Sequence, residues 1–141
     1  MKALEKLAFE RLKEKYPTIP EYAIPKKVYT EKTANGLTKA VCDCIELHGY
    51  QAERINSTGQ QINVNGKSRW IKGSSTNGTA DISSTIAGRS VKLEIKCRYT
   101  GDHYQSKDQK NYQKSVEKAG GVYLVVRDFD SFYSWFKTFV E

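Results

Sequence analysis

A chain of 141 residues with 38% hydrophobic side chains is long enough for one domain with its own core, and no apolar run approaches the roughly 18 residues of a membrane helix. The charged N-terminus MKALEKLAFERLKEKYP lacks the short apolar stretch of a signal peptide, so a cytoplasmic protein with no membrane partner is expected. The net charge of +7 is uneven, because residues 65–118 hold eleven Lys/Arg against five Asp/Glu; that surplus suits a polyanion such as nucleic acid, or a lysine-rich solvated surface.

Leu4, Leu7, Ala8 and Leu12 recur at helical spacing and predict a helix over residues 2–15. Pro17, Pro20 and Pro25 then force an extended connector, so residues 1–29 could be an arm, a lid or a dimer element in front of a domain at 30–141. A second helix is predicted from near Thr33 to His48, with Leu37, Val41, Cys44, Ile45 and His48 as its apolar stripe and Gly49 as its stop. Cys42, Cys44 and Cys97 form no C-x-x-C pair and His48 and His103 are the only histidines, which suits free thiols and argues against structural zinc.

Residues 50–56 read as a strand. Asn65-Gly66 is a strong hairpin signal, and residues 61–72 are expected to form an exposed inserted ribbon or flap. The stretch GSSTNG, 73–78, is a loop by composition. Residues 79–86 and 89–97 form a hairpin turning near Ala87-Gly88. A third helix over about 106–119 begins with the S-x-x-Q capping box of Ser106 and Gln109 and carries Tyr112, Val116 and Ala119 inward. VYLVV, 122–126, reads as a buried strand, and a last helix starting after Asp128 or Asp130 carries Phe132, Trp135, Phe136 and Phe139.

The hairpin has a chemical consequence. In GRSVKLEIKCR, residues 88–98, Val91, Leu93, Ile95 and Cys97 alternate with Lys92, Glu94 and Lys96, which sets the two groups on opposite sheet faces. A two-residue loop at Ala87-Gly88 puts Asp81 opposite Glu94, and one at Gly88-Arg89 puts it opposite Lys96; in both registers the three side chains share a face, whereas a three-residue loop without a bulge would break this. Two carboxylates about 5 Å apart repel by roughly 3 kcal/mol at an effective dielectric near 20. Lys96 or a divalent cation with a preference for oxygen ligands would neutralise them. The plainer reading is a solvated hairpin face with cross-strand Asp–Lys pairing.

At these residues the sequence resembles the PD-(D/E)xK nuclease superfamily, with TADI (79–82) as the first half-motif and EIK (94–96) as the second. It is most similar to the virus-type replication-repair nuclease domain, VRR-Nuc, and to Holliday-junction-resolvase-like nucleases, over roughly residues 33–127. Gly49-Tyr50 with Arg54, NGTADI, VKLEIK, SKDQKNYQ and GGVYLVV support it in order and spacing. The resemblance implies an α/β, restriction-endonuclease-like αβββαβ core, a central mixed sheet flanked by helices, with the N-terminal arm and C-terminal helix added. It implies Mg²⁺ or Mn²⁺ held by Asp81, Glu94 and the backbone carbonyl of Ile95, with Lys96 as the catalytic lysine and Gln109 facing the same site. The capping box claims the same Gln109 side chain. Ala80 replaces the motif's proline. Similar families carry a glutamate on the helix before the first strand, where this chain has Thr38, with Asn35 and Glu31 upstream and Glu46 in an exposed last turn.

The expectation is therefore a divalent-metal-dependent, structure-selective DNA endonuclease of phage or bacterial repair, recombination or replication, acting on branched or flapped DNA, with homodimerisation open. Lys67, Arg69, Lys72, Arg98 and Lys107 are candidate phosphate contacts. Trp70, Tyr99 or Tyr104 could stack on unpaired bases. A nucleic-acid-binding module of the same fold without catalysis, or a protein-interaction module, is the alternative.

Overall fold

The computed structural model describes residues 1–56, 59–71, 73 and 76–141. Its elements in chain order are α1 (Lys2–Lys15), a single 3-10 turn (Glu21–Ala23), α2 (Ala34–Leu47), β1 (Gln51–Arg54), β2 (Gln60–Val64), β3 (Lys67–Ile71), β4 (Ile82–Ile86), β5 (Arg89–Ile95), α3 (Lys107–Lys118), β6 (Val122–Val126) and α4 (Phe129–Val140). The fold is mixed α/β: four helices, a four-stranded sheet in the order β1-β4-β5-β6, and a separate antiparallel pair β2-β3. β1, β4 and β5 run antiparallel, and α3 carries the chain over to β6, which pairs in parallel with β5.

Local chemistry sets most boundaries. Thr33 caps α2 by accepting from the Gly36 N–H, and Ser106 and Gln109 close the expected capping box on α3. Asp128 caps α4 by accepting from the Ser131 N–H. The β4–β5 loop is Ala87-Gly88, with φ of +50° and +76°, as a two-residue I′ turn requires. Ile86 therefore pairs with Arg89 and Ile82 with Leu93.

One sheet face packs Ile82, Val91, Leu93 and Ile95 against Leu37, Val41 and Ile45 of α2 and Phe132 and Phe136 of α4. α1 joins this core through Leu4 and Ala8, and the connector returns to it at Tyr29, whose N–H donates to Glu5 and whose hydroxyl donates to Asp43 at 2.7 Å. α3 covers the opposite face.

Some expected elements differ. β6 is an edge strand and only Tyr123 and Val126 of it are buried, because among the described residues no strand lies beyond it in the sheet. Ala119 is not part of an inner stripe on α3: it is the exposed C-cap, while Tyr112 and Val116 are half-buried. β1 is shorter than 50–56, and β4 begins at Ile82, so Asp81 stands just outside the ladder. The ribbon's Asn65-Gly66 turn has φ of +50° and +75°, the I′ geometry its sequence suggests. Lys72 of that ribbon, and Ser74 and Ser75 of the following loop, lie outside the described residues.

Candidate active site

The hairpin register places Asp81 next in line to face Glu94, one step beyond the last ladder pair, Ile82 with Leu93. The Asp81 carbonyl accepts from the Ile55 N–H at 2.7 Å, and its carboxylate reaches across to accept from the Ile95 N–H at 2.8 Å. Both bonds hold the residue after the strand has ended. Gly78 fixes the loop in front of it: its φ is +72°, and a Cβ there would run into the Asp108 carbonyl and the Gln109 N–H. Only glycine lets this loop lie directly on the first turn of α3.

The polar face of β5 divides in two. At its start Lys92 donates to Ser83, its cross-strand partner, as an ordinary half-exposed sheet face would. At its end Glu94 and Lys96 are buried, with exposures of 1% and 4%. Their ion pair spans 3.4 Å. Glu94 also accepts from Gln109 Nε2 at 2.6 Å and from the Tyr123 hydroxyl at 3.3 Å. Lys96 donates to both carboxylate oxygens of Asp102, at 2.8 and 3.0 Å. Among the described residues no buried side-chain nitrogen or oxygen lacks a partner.

Burial, and after it the Asp81 charge, push the Glu94 carboxyl up to about 7, against the lowering influence of Lys96 and Tyr123. Burial pulls the Lys96 ammonium down, but the Asp102 hydrogen bond and the Glu94 and Asp102 charges outweigh it, so the lysine is held above its ordinary range. Burial and the Glu94 charge raise the Tyr123 phenol.

Gln109 closes the capping box and also reaches Glu94 from the same side chain. Its Oε1 accepts from the Ser106 N–H at 2.8 Å, completing the cap, and its Nε2 donates to Glu94. An amide has an acceptor at one end and a donor at the other, so the roles do not compete. The bond also ties the start of α3 to the polar end of β5.

The site includes two side chains that the sequence reading did not single out. Tyr123 falls on the Glu94 face because β6 pairs in parallel with Lys92 opposite Tyr123 and Glu94 opposite Val125; the continuous apolar run VYLVV gave no sign of it. Asp102 comes from the loop after β5, and no periodicity marks it.

The upstream positions are committed elsewhere. The Thr38 hydroxyl donates to the Ala34 carbonyl, the Asn35 oxygen accepts from Arg54, and the Glu31 carboxylate accepts from the Phe129 N–H at the start of α4. Glu46 is exposed. Among the described residues, no group of three or more His, Cys, Asp and Glu side chains gathers as a metal cage. The oxygen donors at hand are Asp81 and Glu94.

The basic candidates are scattered. Lys67 and Arg69 lie exposed on β3, opposite Val64 and Ile62, with Trp70 65% exposed on the other ribbon face. Lys107 opens α3, exposed, two residues from Gln109. Arg98 instead pairs with Asp128 at 2.6 Å beside the α4 cap. Tyr99 and Tyr104, in the loop that carries Asp102, are 56% and 85% exposed.

No protein-family model, curated protein or solved structure matches this chain.

Proposed function

We propose that the chain is a divalent-metal-dependent DNA endonuclease with a restriction-endonuclease-like core of the PD-(D/E)xK type. The observation that carries this reading is a carboxylate and an ammonium buried side by side at the end of β5, beside a second carboxylate whose charge raises the first. Burying like charges together is costly, and functional sites are where such arrangements concentrate. The order α2-β1-β4-β5-α3-β6 supports the same reading.

Asp81 and Glu94, with the Ile95 carbonyl that the resemblance implies, would suit one hard cation, since Mg²⁺ takes one or two carboxylates and fills its remaining positions with water and phosphate. An ion held by these residues would supply Lewis-acid chemistry, offsetting phosphate charge and lowering the pKa of a bound water. The protein's own groups do the positioning. Gln109 and Tyr123 hold the two Glu94 oxygens. The Lys96 ammonium, steadied by Asp102, orients the water and offsets charge that develops on the phosphate. Lys67, Arg69 and Lys107 supply phosphate contacts that position DNA without reading its sequence. A structure-selective role in phage or bacterial repair, recombination or replication fits these parts, with a cytoplasmic location.

A second reading, a nucleic-acid-binding module without catalysis, is favoured by the absence of a helix acid, since Glu31 is spent on the Phe129 N–H. Branched, flapped, nicked and plain duplex DNA incubated with the protein in Mg²⁺, Mn²⁺ or EDTA separates the two. The nuclease reading requires metal-dependent products that disappear with Asp81→Ala; binding without products in any metal supports the module.

A further inference from the structure

A cavity of about 640 Å³ lies away from the Glu94 cluster, between α1 and the proline-containing connector. Lys2, Lys6 and Lys26 line it, and none has a carboxylate partner among the described residues. Of the acids in the wall, Glu5 accepts from the Tyr29 N–H and Glu21 faces Lys13 at 3.6 Å. Two aromatic rings complete the wall, half-buried Phe9 and Tyr22, which is 92% exposed. A tyrosine this exposed in a folded chain contributes almost nothing to the core.

We infer that this groove binds an unpaired nucleic-acid strand. Unpaired ammoniums beside a free aromatic face match the two parts of such a ligand, a phosphate every nucleotide and a base that stacks on any π surface. An acidic peptide would use the lysines but would leave Tyr22 idle. Chain continuity bounds the distance between the groove and the Glu94 cluster. Three residues past Val28, the Glu31 carbonyl accepts from Cys97 Sγ at 3.0 Å, and Cys97 follows Lys96 in the chain. The reach of those residues brings the groove's end within about 25 Å of Lys96. Within that reach, a substrate could lay its single-stranded arm in the groove and its junction with duplex at the Glu94 cluster. This placement extends the nuclease reading, but strand binding in the groove does not depend on cleavage.

The test is fluorescence anisotropy of a labelled oligothymidylate with the full chain in EDTA, over a range of salt concentrations. Three variants are compared with wild type, each checked for fold by circular dichroism: Tyr22→Ala, Lys6→Gln with Lys26→Gln, and, on the ribbon, Lys67→Gln with Arg69→Gln. Tyr22→Ala weakens binding roughly fivefold or more, the value of one lost stack. The double lysine variant lowers the slope of log K against log salt by about 1.4, the share of two phosphates on a single strand. If groove variants bind as wild type while the ribbon variant does not, the inference falls and the nuclease reading stands. If the groove variants weaken as expected but no metal yields cleavage, the groove stands and the nuclease reading falls. Displacement of the oligothymidylate by oligoglutamate at equal charge concentration would overturn the assignment in favour of an acidic protein partner.

Discussion

Glu94→Gln isolates the electrostatic cost at the centre of the site. In the folded chain the carboxyl is pushed from 4.5 up to about 7, first by burial and then by Asp81. A carboxyl raised in the folded state binds its proton there when the unfolded chain has already released it, so stability falls as pH rises between the two values. The full contribution is present below about pH 4.5 and is lost above about pH 7, and a shift of this size corresponds to about 3 kcal/mol. In EDTA, wild-type Tm should therefore drop by about 10 °C more than that of Glu94→Gln between about pH 5 and pH 8. Glutamine keeps an oxygen for the Gln109 donor and carries no charge, so the variant should be the more stable protein at pH 8 and close to wild type at pH 5. Mg²⁺ should raise the wild-type Tm at pH 8, leave it nearly unchanged at pH 5, and do little to the variant. Differential scanning calorimetry in chelator and in Mg²⁺ measures all of this. Equal pH slopes in the two proteins would show that Glu94 is not held at a cost, and the electrostatic argument would fail.

Gly78→Ala should destabilise the protein by more than about 1–2 kcal/mol in urea titration and abolish cleavage, because a Cβ meets α3 backbone at a positive φ and lifts the Asp81 loop. Asp102→Asn weakens the hydrogen bond that holds the Lys96 ammonium above its ordinary range, so the alkaline loss of cleavage should move to lower pH with metal affinity unchanged; an unmoved limb would mean that Asp102 does not support Lys96. Lys67→Ala with Arg69→Ala should leave Tm intact, since both are exposed on a two-stranded ribbon, while lowering the salt slope for duplex DNA by about 1.8. An unchanged slope would remove the ribbon from the DNA interface.

The hairpin was legible because its turn is local, but two registers stayed open until the Ala87-Gly88 turn fixed which side chains face each other. α3 was legible for the same reason, through its capping box. What covers a face is a tertiary matter. Alternation put Glu94 and Lys96 opposite Leu93 and Ile95, but it could not say that α3 would close over them and leave Lys92 half-exposed. Asp102 was hidden because a loop has no period, and Tyr123 because an apolar run masks a hydroxyl. The expected inward turn of Ala119 failed at the helix end, where the chain already leaves the sheet for the Gly120 turn. Gln109 shows that two sequence signals on one residue need not be rivals when its side chain carries both a donor and an acceptor.

We propose that Glu94 holds a metal while Lys96 acts on the water beside it. Single-turnover cleavage of a flapped or branched DNA, paired with Mn²⁺ calorimetry on wild type, Lys96→Gln and Glu94→Ala, tests that division most directly. Loss of one preorganised charge at the reacting centre costs roughly 10²–10³ in rate, whereas an ammonium is no metal ligand. Lys96→Gln should therefore cut about 10²–10³ more slowly with Mn²⁺ affinity kept or tightened, and Glu94→Ala should lose both metal and cleavage. A Lys96→Gln protein that cuts within a few-fold of wild type, or a Glu94→Ala protein that still binds Mn²⁺ as wild type does, would contradict the account.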